Sequence, residues 1–519
     1  MKKLVFLFSF ITFQLAGQSL TTKSFNYPLP IGVSDVVQLP GGDLIMTASA
    51  SPASYDSTMA ILMRVDTGLN VKWSKRYKVL RKDDFSVVKV LADGNLLVGG
   101  AMRQQFTLNT GACLYKLDTA GNVLWQTMYD GSGDDRVLNV FELPDNTLML
   151  IIRYGVTNRA ARILHLSNTG VILSQREYDH GSFGVGSEAA VEGSSGNFFV
   201  SGNFFNASVP AAQFYVMSFD TSGFSWFKYY DFGRLITSSY IARYTPDNHL
   251  ILAGAIHDTQ TVSGTNIWVA KLDVNGNVVW ANEYHQSQTW DEAPSDISIQ
   301  PNNEILLVGR VSTDTSRNTL LLKLNKNGGI RWSRAYSQYP YESGSIIYPL
   351  QDGRLLMGVG ATNNPNYFST IDTSGVAGCG NIAVSLLAAN LTLSTSTNVI
   401  TSDNPMLTVA QLPDTAYSLG VGLQLVCASH TNILERALLE PSLYPNPVKE
   451  ELRVQIPKEI TQPTISLIDV FGRVATVRFT YKNGSAVVDL RQMPEGIYVI
   501  QIAEHDGSWH WQQKILKTD

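Results

Sequence analysis

One interval governs this chain: a nine-residue motif returns about every 52 residues, and such a period in a chain this long points to stacked repeats rather than one wound core. The clearest copy runs from Leu117 through Asp118, Gly121 and Asn122 to Trp125. It recurs from Leu272 through Asp273, Gly276 and Asn277 to Trp280. Weaker copies occupy 65–73, 166–174, 219–226 and 324–332. A second motif runs in phase, most clearly as Leu91-Ala92-Asp93-Gly94-Asn95-Leu96-Leu97-Val98-Gly99. It has seven copies, starting near Leu39, Leu91, Leu143, Gly193, Thr245, Gln300 and Leu350.

Each repeat holds four short apolar runs separated by turn residues. Asp-Gly-Asn and its variants are hairpin turns, in which Gly or Asn takes the positive φ and Asp caps its own backbone. Four strands in about 50 residues make one propeller blade. The first three strands occur seven times, but the Trp/Tyr-bearing fourth strand follows only six of them. An unpartnered fourth strand at the N-terminus, residues 23–27, is expected to complete the last blade and close the ring, leaving fewer exposed edges. The expectation is therefore all-β: a seven-bladed β-propeller over residues 19–378. An eight-bladed or open ring that recruits residues 381–428 is the rival.

Composition agrees. Charged residues are 16% of the chain, against roughly 25% in an average soluble protein. The net charge is −5, which leaves no basic excess to neutralise phosphates, so a nucleic-acid partner is not expected. Lys2 and Lys3, the apolar run 4–13, and the small residues Ala16 and Gly17 make residues 1–18 a signal peptide, too short in its apolar part to span a bilayer. No other apolar run of 18 residues occurs, so no transmembrane segment is expected after cleavage.

Residues 379–442 break the period. They are rich in Ser and Thr and are expected to add strands against the propeller base, ending in a short helix or linker around Ile433, Leu434, Ala437 and Leu438. Cys379 and Cys427 bracket this segment and, in an exported chain, could form a disulfide; Cys113 reads as a small core residue.

The last stretch, 443–519, carries Leu443-Tyr444-Pro445-Asn446-Pro447, then Ile468-Asp469-Val470-Phe471-Gly472-Arg473, then Met493-Pro494-Glu495-Gly496-Ile497-Tyr498-Val499, and finally Lys514-Ile515-Leu516-Lys517. This combination resembles the type A C-terminal sorting domain of the type IX secretion system of Bacteroidetes. The resemblance implies that Tyr444, Pro445, Asn446, Pro447, Gly472, Arg473, Gly496, Tyr498, Lys514 and Lys517 belong to an export signal read by the secretion machinery. It implies a cargo delivered outside the outer membrane, then released or anchored at the cell surface. Alternating apolar positions such as Leu452, Val454 and Ile456 independently indicate a small immunoglobulin-like β-sandwich. The body resembles the propeller repeats of secreted bacterial proteins and the quinoprotein-type repeat, without the Trp-Asp ending of WD40 repeats or the Gly-Gly of kelch.

Chemistry is harder to find. Trp73, Trp125, Trp226, Trp280 and Trp332 share one repeat position; a sugar platform is conceivable, but packing against the next blade is the stronger expectation. Turn residues such as Asp93 and Asp352 supply too few oxygens for a calcium loop. Eight residues before each copy of the second motif stand Ile31, Asp83, Asp135, Val185, Thr237, Glu292 and Glu342. If these positions gather around the channel, Asp83, Asp135, Glu292 and Glu342 form an acidic cluster for calcium or a hydroxyl-rich ligand. The plainer alternative is solvated loop charges. No HExxH, GxSxG or Walker loop occurs. No catalytic residues or cofactor are assigned. The expectation is a non-catalytic surface protein binding an extracellular glycan or protein. The alternatives are a polysaccharide-acting or quinone-dependent propeller enzyme, or a purely structural surface component.

Overall fold

The computed structural model describes residues 19–26, 29–50, 58–77, 83–103, 109–130, 133–153, 159–179, 184–205, 213–233, 236–257, 264–286, 291–312, 316–362 and 364–377. It also describes seven strands between 381 and 430, and residues 442–518 apart from 457–462, 470–473, 483 and 505–509. The expected signal peptide, the expected helix after His430, Gly472, Arg473 and Cys379 lie outside the described residues, as does the Cys427 side chain, so the Cys379–Cys427 pairing does too. The chain divides into two compact units, Met1–Thr431 and Asn432–Asp519. Among the described residues no helix is long and apolar enough to cross a membrane.

The first unit is a seven-bladed β-propeller. Its second blade shows the pattern: Asp84–Val90 lines the centre, followed outward by Leu96–Arg103, Thr110–Leu117 and Val123–Asp130, all antiparallel. The turns form as their residues dictate. Gly94 sits at φ +81 and its N–H bonds the Leu91 carbonyl. Asn146, Asn248 and Asn303 take the same left-handed position in later blades. In the outer turn the Asp118 carboxylate accepts from the N–H groups of Ala120 and Asn122, and Asp273 repeats this with Asn275 and Asn277.

The repeated tryptophans join the blades. A Cβ added at Gly121 would lie 2.9 Å from the Trp73 ring, and one at Gly276 would lie 2.7 Å from Trp226. Each ring therefore packs on the glycine turn of the next blade, a gap only glycine leaves open. At the outer end of the same strand a buried tyrosine donates to that glycine's carbonyl: Tyr77 to Gly121, Tyr129 to Gly170, Tyr230 to Gly276, Tyr284 to Gly328 and Tyr336 to Gly375.

The seventh blade is composite. Glu342–Pro349, Leu355–Ala361 and Tyr367–Ile371 are completed by Ser19–Asn26, whose Thr22, Lys23 and Ser24 face Ser369, Phe368 and Tyr367. The closing strand is thus longer than residues 23–27, and it is not an edge. The strands described between 381 and 430 are not extra strands against the base. They travel once around the rim and add a fifth strand to every blade. Asn381–Ala383 pairs with blade six, Leu387–Asn390 with five, Ser394–Thr397 with four and Thr401–Asp403 with three. Thr408–Ala410 then pairs with blade two, Ala416–Ser418 with one and Gly422–His430 with seven. This excludes an eighth blade.

The second unit is a β-sandwich of two four-stranded sheets. One holds Ser442–Tyr444, Glu451–Gln455, Ser485–Asp489 and Arg478–Lys482; the other holds Val474–Thr476, Pro463–Asp469, Gly496–Glu504 and His510–Lys517. Leu452, Val454, Leu467, Val488, Ile500, Ile502 and Ile515 fill its core.

Candidate functional site

The seven inner strands enclose a central cavity of about 780 Å³. Every inner strand carries a bulge at the same place, between Val33 and Asp35 in blade one, Phe85 and Val87 in blade two, and onward to Gly344 and Ile346 in blade seven. A bulge inserts one residue and exchanges the faces of all that follow. Residues just beyond it, among them Asp35, Lys89, Glu142, Glu192, Arg243 and Asp296, reach the channel wall.

Much of this polar lining is committed to holding the ring. Each of the seven seams is crossed by a hydrogen bond from an inner strand or the turn after it. The Asp35 carboxylate accepts from Val88 N–H at 2.9 Å, Ser86 donates to the Val137 carbonyl at 2.8 Å, and Asn139 donates to the Ala190 carbonyl at 2.8 Å. Ser194 and Tyr244 hydroxyls meet at 3.0 Å, and Arg243 Nε donates to the Ile297 carbonyl at 2.9 Å. Asp296 accepts from Ile347 N–H at 3.0 Å, and the Tyr348 hydroxyl accepts from Gln38 N–H at 3.0 Å. Arg243 also pairs with Asp296.

Burial in this wall raises the carboxyls of Asp35 and Asp296 above the usual range, against the pull of Lys89 and Arg243 on Asp35 and of Arg243 on Asp296. Glu188 and Glu192 are raised by desolvation too, opposed by Arg153 and Arg136 at the first and by Lys89 at the second. Lys89 differs from the other cations: among the described residues its amino group forms no hydrogen bond or ion pair, although Asp35 and Glu192 lie within its electrostatic reach. Glu192, open to the channel, likewise bonds no described residue.

The four acids singled out from the repeat are not brought together. Asp83, Asp135, Glu292 and Glu342 are all 0% exposed and none lines the channel, so neither a cluster at the mouth nor solvated loop charge describes them. Each is buried at or beside the start of its own blade's inner strand, with different partners. Asp135 accepts from Arg162 Nη1 at 2.8 Å, and Arg162 also reaches Glu177. Glu342 accepts from the Tyr367 hydroxyl at 2.9 Å and from the N–H groups of Gln338 and Tyr339. Cys113 occupies the same third-strand position beside Asp83, where burial, with Asp84 and Asp83, pushes its thiol up. In blade six that third-strand position is held by Leu320. The Glu292 Oε1 accepts from Gln286 N–H, its Oε2 has no described partner, and burial pushes its carboxyl up to about 8. Among the described residues no three His, Cys, Asp or Glu side chains converge to hold a metal ion. Asp93 and Asp352 are occupied instead by Lys116 and Arg354.

Channel residues were missed for a physical reason. By simple alternation Lys89 and Arg243, each six residues beyond its −8 position, would share that position's face; the bulge between them turns Lys89 and Arg243 to the channel and leaves the −8 acids buried. The signal that could have found them was charge well inside the inner strands, above all Lys89 in Asp84–Val90 and Arg243 in Ile236–Tyr244.

In the second unit the two ends of the export motif meet. The Asn446 side chain accepts from Leu516 N–H at 2.9 Å and donates to the Lys514 carbonyl at 3.1 Å, so Pro445-Asn446-Pro447 is stitched to the last strand. Val448 N–H bonds the Leu516 carbonyl beside it. Both X–Pro bonds, Tyr444–Pro445 and Asn446–Pro447, are cis. The Tyr498 hydroxyl closes its own turn on the Pro494 carbonyl, Gly496 lies at φ +154, and Lys517 is buried.

Residues 442–518 match the secretion system C-terminal sorting domain family. No curated protein matches the chain. Among solved structures the chain is similar to PorZ, an essential bacterial surface component of the type IX secretion system of Porphyromonas gingivalis. The identity is 9% over 94% of this chain and 75% of that one, with a TM-score of 0.39. It is also similar to an ulvan lyase of polysaccharide lyase family 25, at 9% identity over 69% of this chain and 97% of that one, TM-score 0.45. A puromycin hydrolase is similar at 11% identity over 92% of this chain and 59% of that one, TM-score 0.43. The C-terminal unit is a type IX sorting domain, and the protein that carries it is a secreted, cell-surface propeller protein.

Proposed function

We propose that this is a non-catalytic binding protein of the cell surface, and that its ligand, a hydroxyl-rich chain such as a glycan, docks in the central channel. The observation that carries the reading is Lys89, a partly buried cation with no partner among the described residues. It stands beside Glu192, which likewise has no partner among the described residues, in a cavity of about 780 Å³ where the other charged groups of the wall, Asp35, Glu142, Glu188, Arg243 and Asp296, are bonded across seams. Leaving a half-desolvated ammonium unpaired costs free energy unless something bonds to it. Raised carboxyls can donate as well as accept, and with a lysine and the Tyr348 ring nearby they suit hydroxyl groups better than a strongly charged ligand.

A glycan array with the purified full chain tests this. Binding should weaken at least about tenfold in Lys89→Ala and Glu192→Gln, equivalent to about 1.4 kcal/mol, with unchanged melting temperature and no turnover of the bound glycan. Unaltered binding in both variants, or no glycan bound at all, overturns the channel assignment; cleavage of a bound glycan overturns the non-catalytic one.

A further inference from the structure

We propose that the seven strands described between 381 and 430 form a strap that locks the ring, and that Gly422–His430, more than the third strand of blade seven, holds the N-terminal closing strand in place.

The registers carry the inference. Six strap strands touch their blades over only three or four residues each. The seventh runs beside the closing strand over its whole length, from Ser19 opposite His430 to Asn26 opposite Gly422. On its other side the closing strand is laddered to Tyr367–Ser369 through Thr22, Lys23 and Ser24, flanked by bonds between Thr21 and Thr370 and from the Phe25 N–H to the Asn366 carbonyl. Ladder pairing adds with each residue aligned, so most of the backbone bonding of Ser19–Asn26 comes from the strap. A propeller closed by the N-terminal strand alone would rest on three ladder pairs and the flanking bonds of Thr21 and Phe25, against eight pairs with the strap, and would leave that strand as an exposed edge.

The order of the circuit matters as much as its length. The chain leaves blade seven, visits blades six to one in turn, and returns to blade seven at the point where the ring is joined. Each short contact fixes where the next begins, and the last can form only when the others have set its position. The seam it guards borders the channel: Gln38 bonds Tyr348, Gln351 N–H bonds Gln38, and Asn366 bonds the Ile31 carbonyl, all between blades one and seven. Opening the lock would free this seam first. The lock also lies last in the propeller unit, so a chain that stops after Ile371 has every inner strand and lacks the strap.

Hydrogen exchange on the full-length protein tests the proposal. In the wild type, Ser19–Asn26 and Gly422–His430 should exchange together, in one opening event, more slowly than the six short strap strands. The double variant Gln424→Pro/Leu425→Pro removes at least one ladder N–H, since adjacent residues point their N–H groups to opposite sides. It should lower protection across Thr21–Phe25 and Tyr367–Ile371 by about 100-fold or more. The same double substitution at Val409 and Ala410, in the strap strand of blade two, should affect only the end of Val123–Asp130. Protection of Ser19–Asn26 that stays within about threefold of wild type in the Gln424/Leu425 variant overturns the proposal. So does an equal global loss in the Val409/Ala410 control. If the first variant does not accumulate as folded protein, the wild type alone decides: a closing strand still protected after Gly422–His430 has exchanged refutes the lock.

Discussion

Replacing Glu292 by glutamine should stabilise the propeller, and by an amount that depends on pH. Glu292 is fully buried, its Oε1 accepts from the Gln286 N–H, its Oε2 has no described partner, and burial pushes its carboxyl from 4.5 up to about 8. Below pH 4.5 folded and unfolded chains both hold the proton, and the residue is neutral in cost. Between 4.5 and 8 the unfolded chain releases a proton that the folded chain keeps, so stability falls by about 1.4 kcal/mol per pH unit. By pH 7 the loss is about 3 kcal/mol, and above pH 8 it levels off near about 5 kcal/mol. Glutamine keeps the oxygen that accepts from Gln286 and has no charge to lose. A unit of roughly 400 residues has an unfolding entropy on the order of 0.8 kcal/mol/K, so about 3 kcal/mol corresponds to about 4 °C. Melting curves of wild type and Glu292→Gln from pH 4.5 to 8.5 should start together and separate by that amount at pH 7. Parallel curves, or a variant that melts lower at pH 8, would refute the buried, proton-holding acid. Glu342→Gln makes the contrast: Glu342 is also raised, yet three donors address its carboxyl, so its substitution should not give the same widening gap.

Other expectations follow from single contacts. Gly276→Ala should cost about 2–4 kcal/mol in thermal unfolding, because φ is +74 and the new methyl would meet Trp226; Gly94→Ala, equally left-handed but in open space, should cost only about 1–2 kcal/mol. Arg162→Met leaves Asp135 and Glu177 buried without its guanidinium and should destabilise by about 3–5 kcal/mol in denaturant titration. Asn446→Ala removes two bonds to the last strand, should cost the sorting domain about 1–2 kcal/mol, and should lower the fraction of protein reaching the surface by cell fractionation. Deleting residues 443–519 should leave the propeller folded by circular dichroism and retained in the periplasm; normal surface delivery would contradict the sorting role.

The two parts of the molecule differed in how far they could be read. Turn chemistry is local: whether Gly94, Gly121 or Asn146 can take a positive φ depends on a few neighbouring bonds, so the residues announce it. Even there one exception needed coordinates. In blade one the left-handed position falls on Leu69, at φ +59 and fully buried, one residue after the glycine that the motif suggests. The export motif was legible because its residues are specific as a set, although nothing in their spacing says that Asn446 and Leu516 touch.

From the sequence alone came the period, the four strands per repeat, the borrowed closing strand and the C-terminal export domain, because each is encoded by residues that act within a turn or a strand. Only the tertiary structure decided which face of the inner strands meets the channel. A bulge is a pairing mismatch between two strands, and one sequence does not display the register of its partner. Tertiary structure likewise turned four acids into separate buried pairings and an aperiodic Ser/Thr-rich segment into a strap around every blade. Strand pairing across some 400 residues of chain is set by which edges remain unbonded once the ring exists, and no local pattern contains that information.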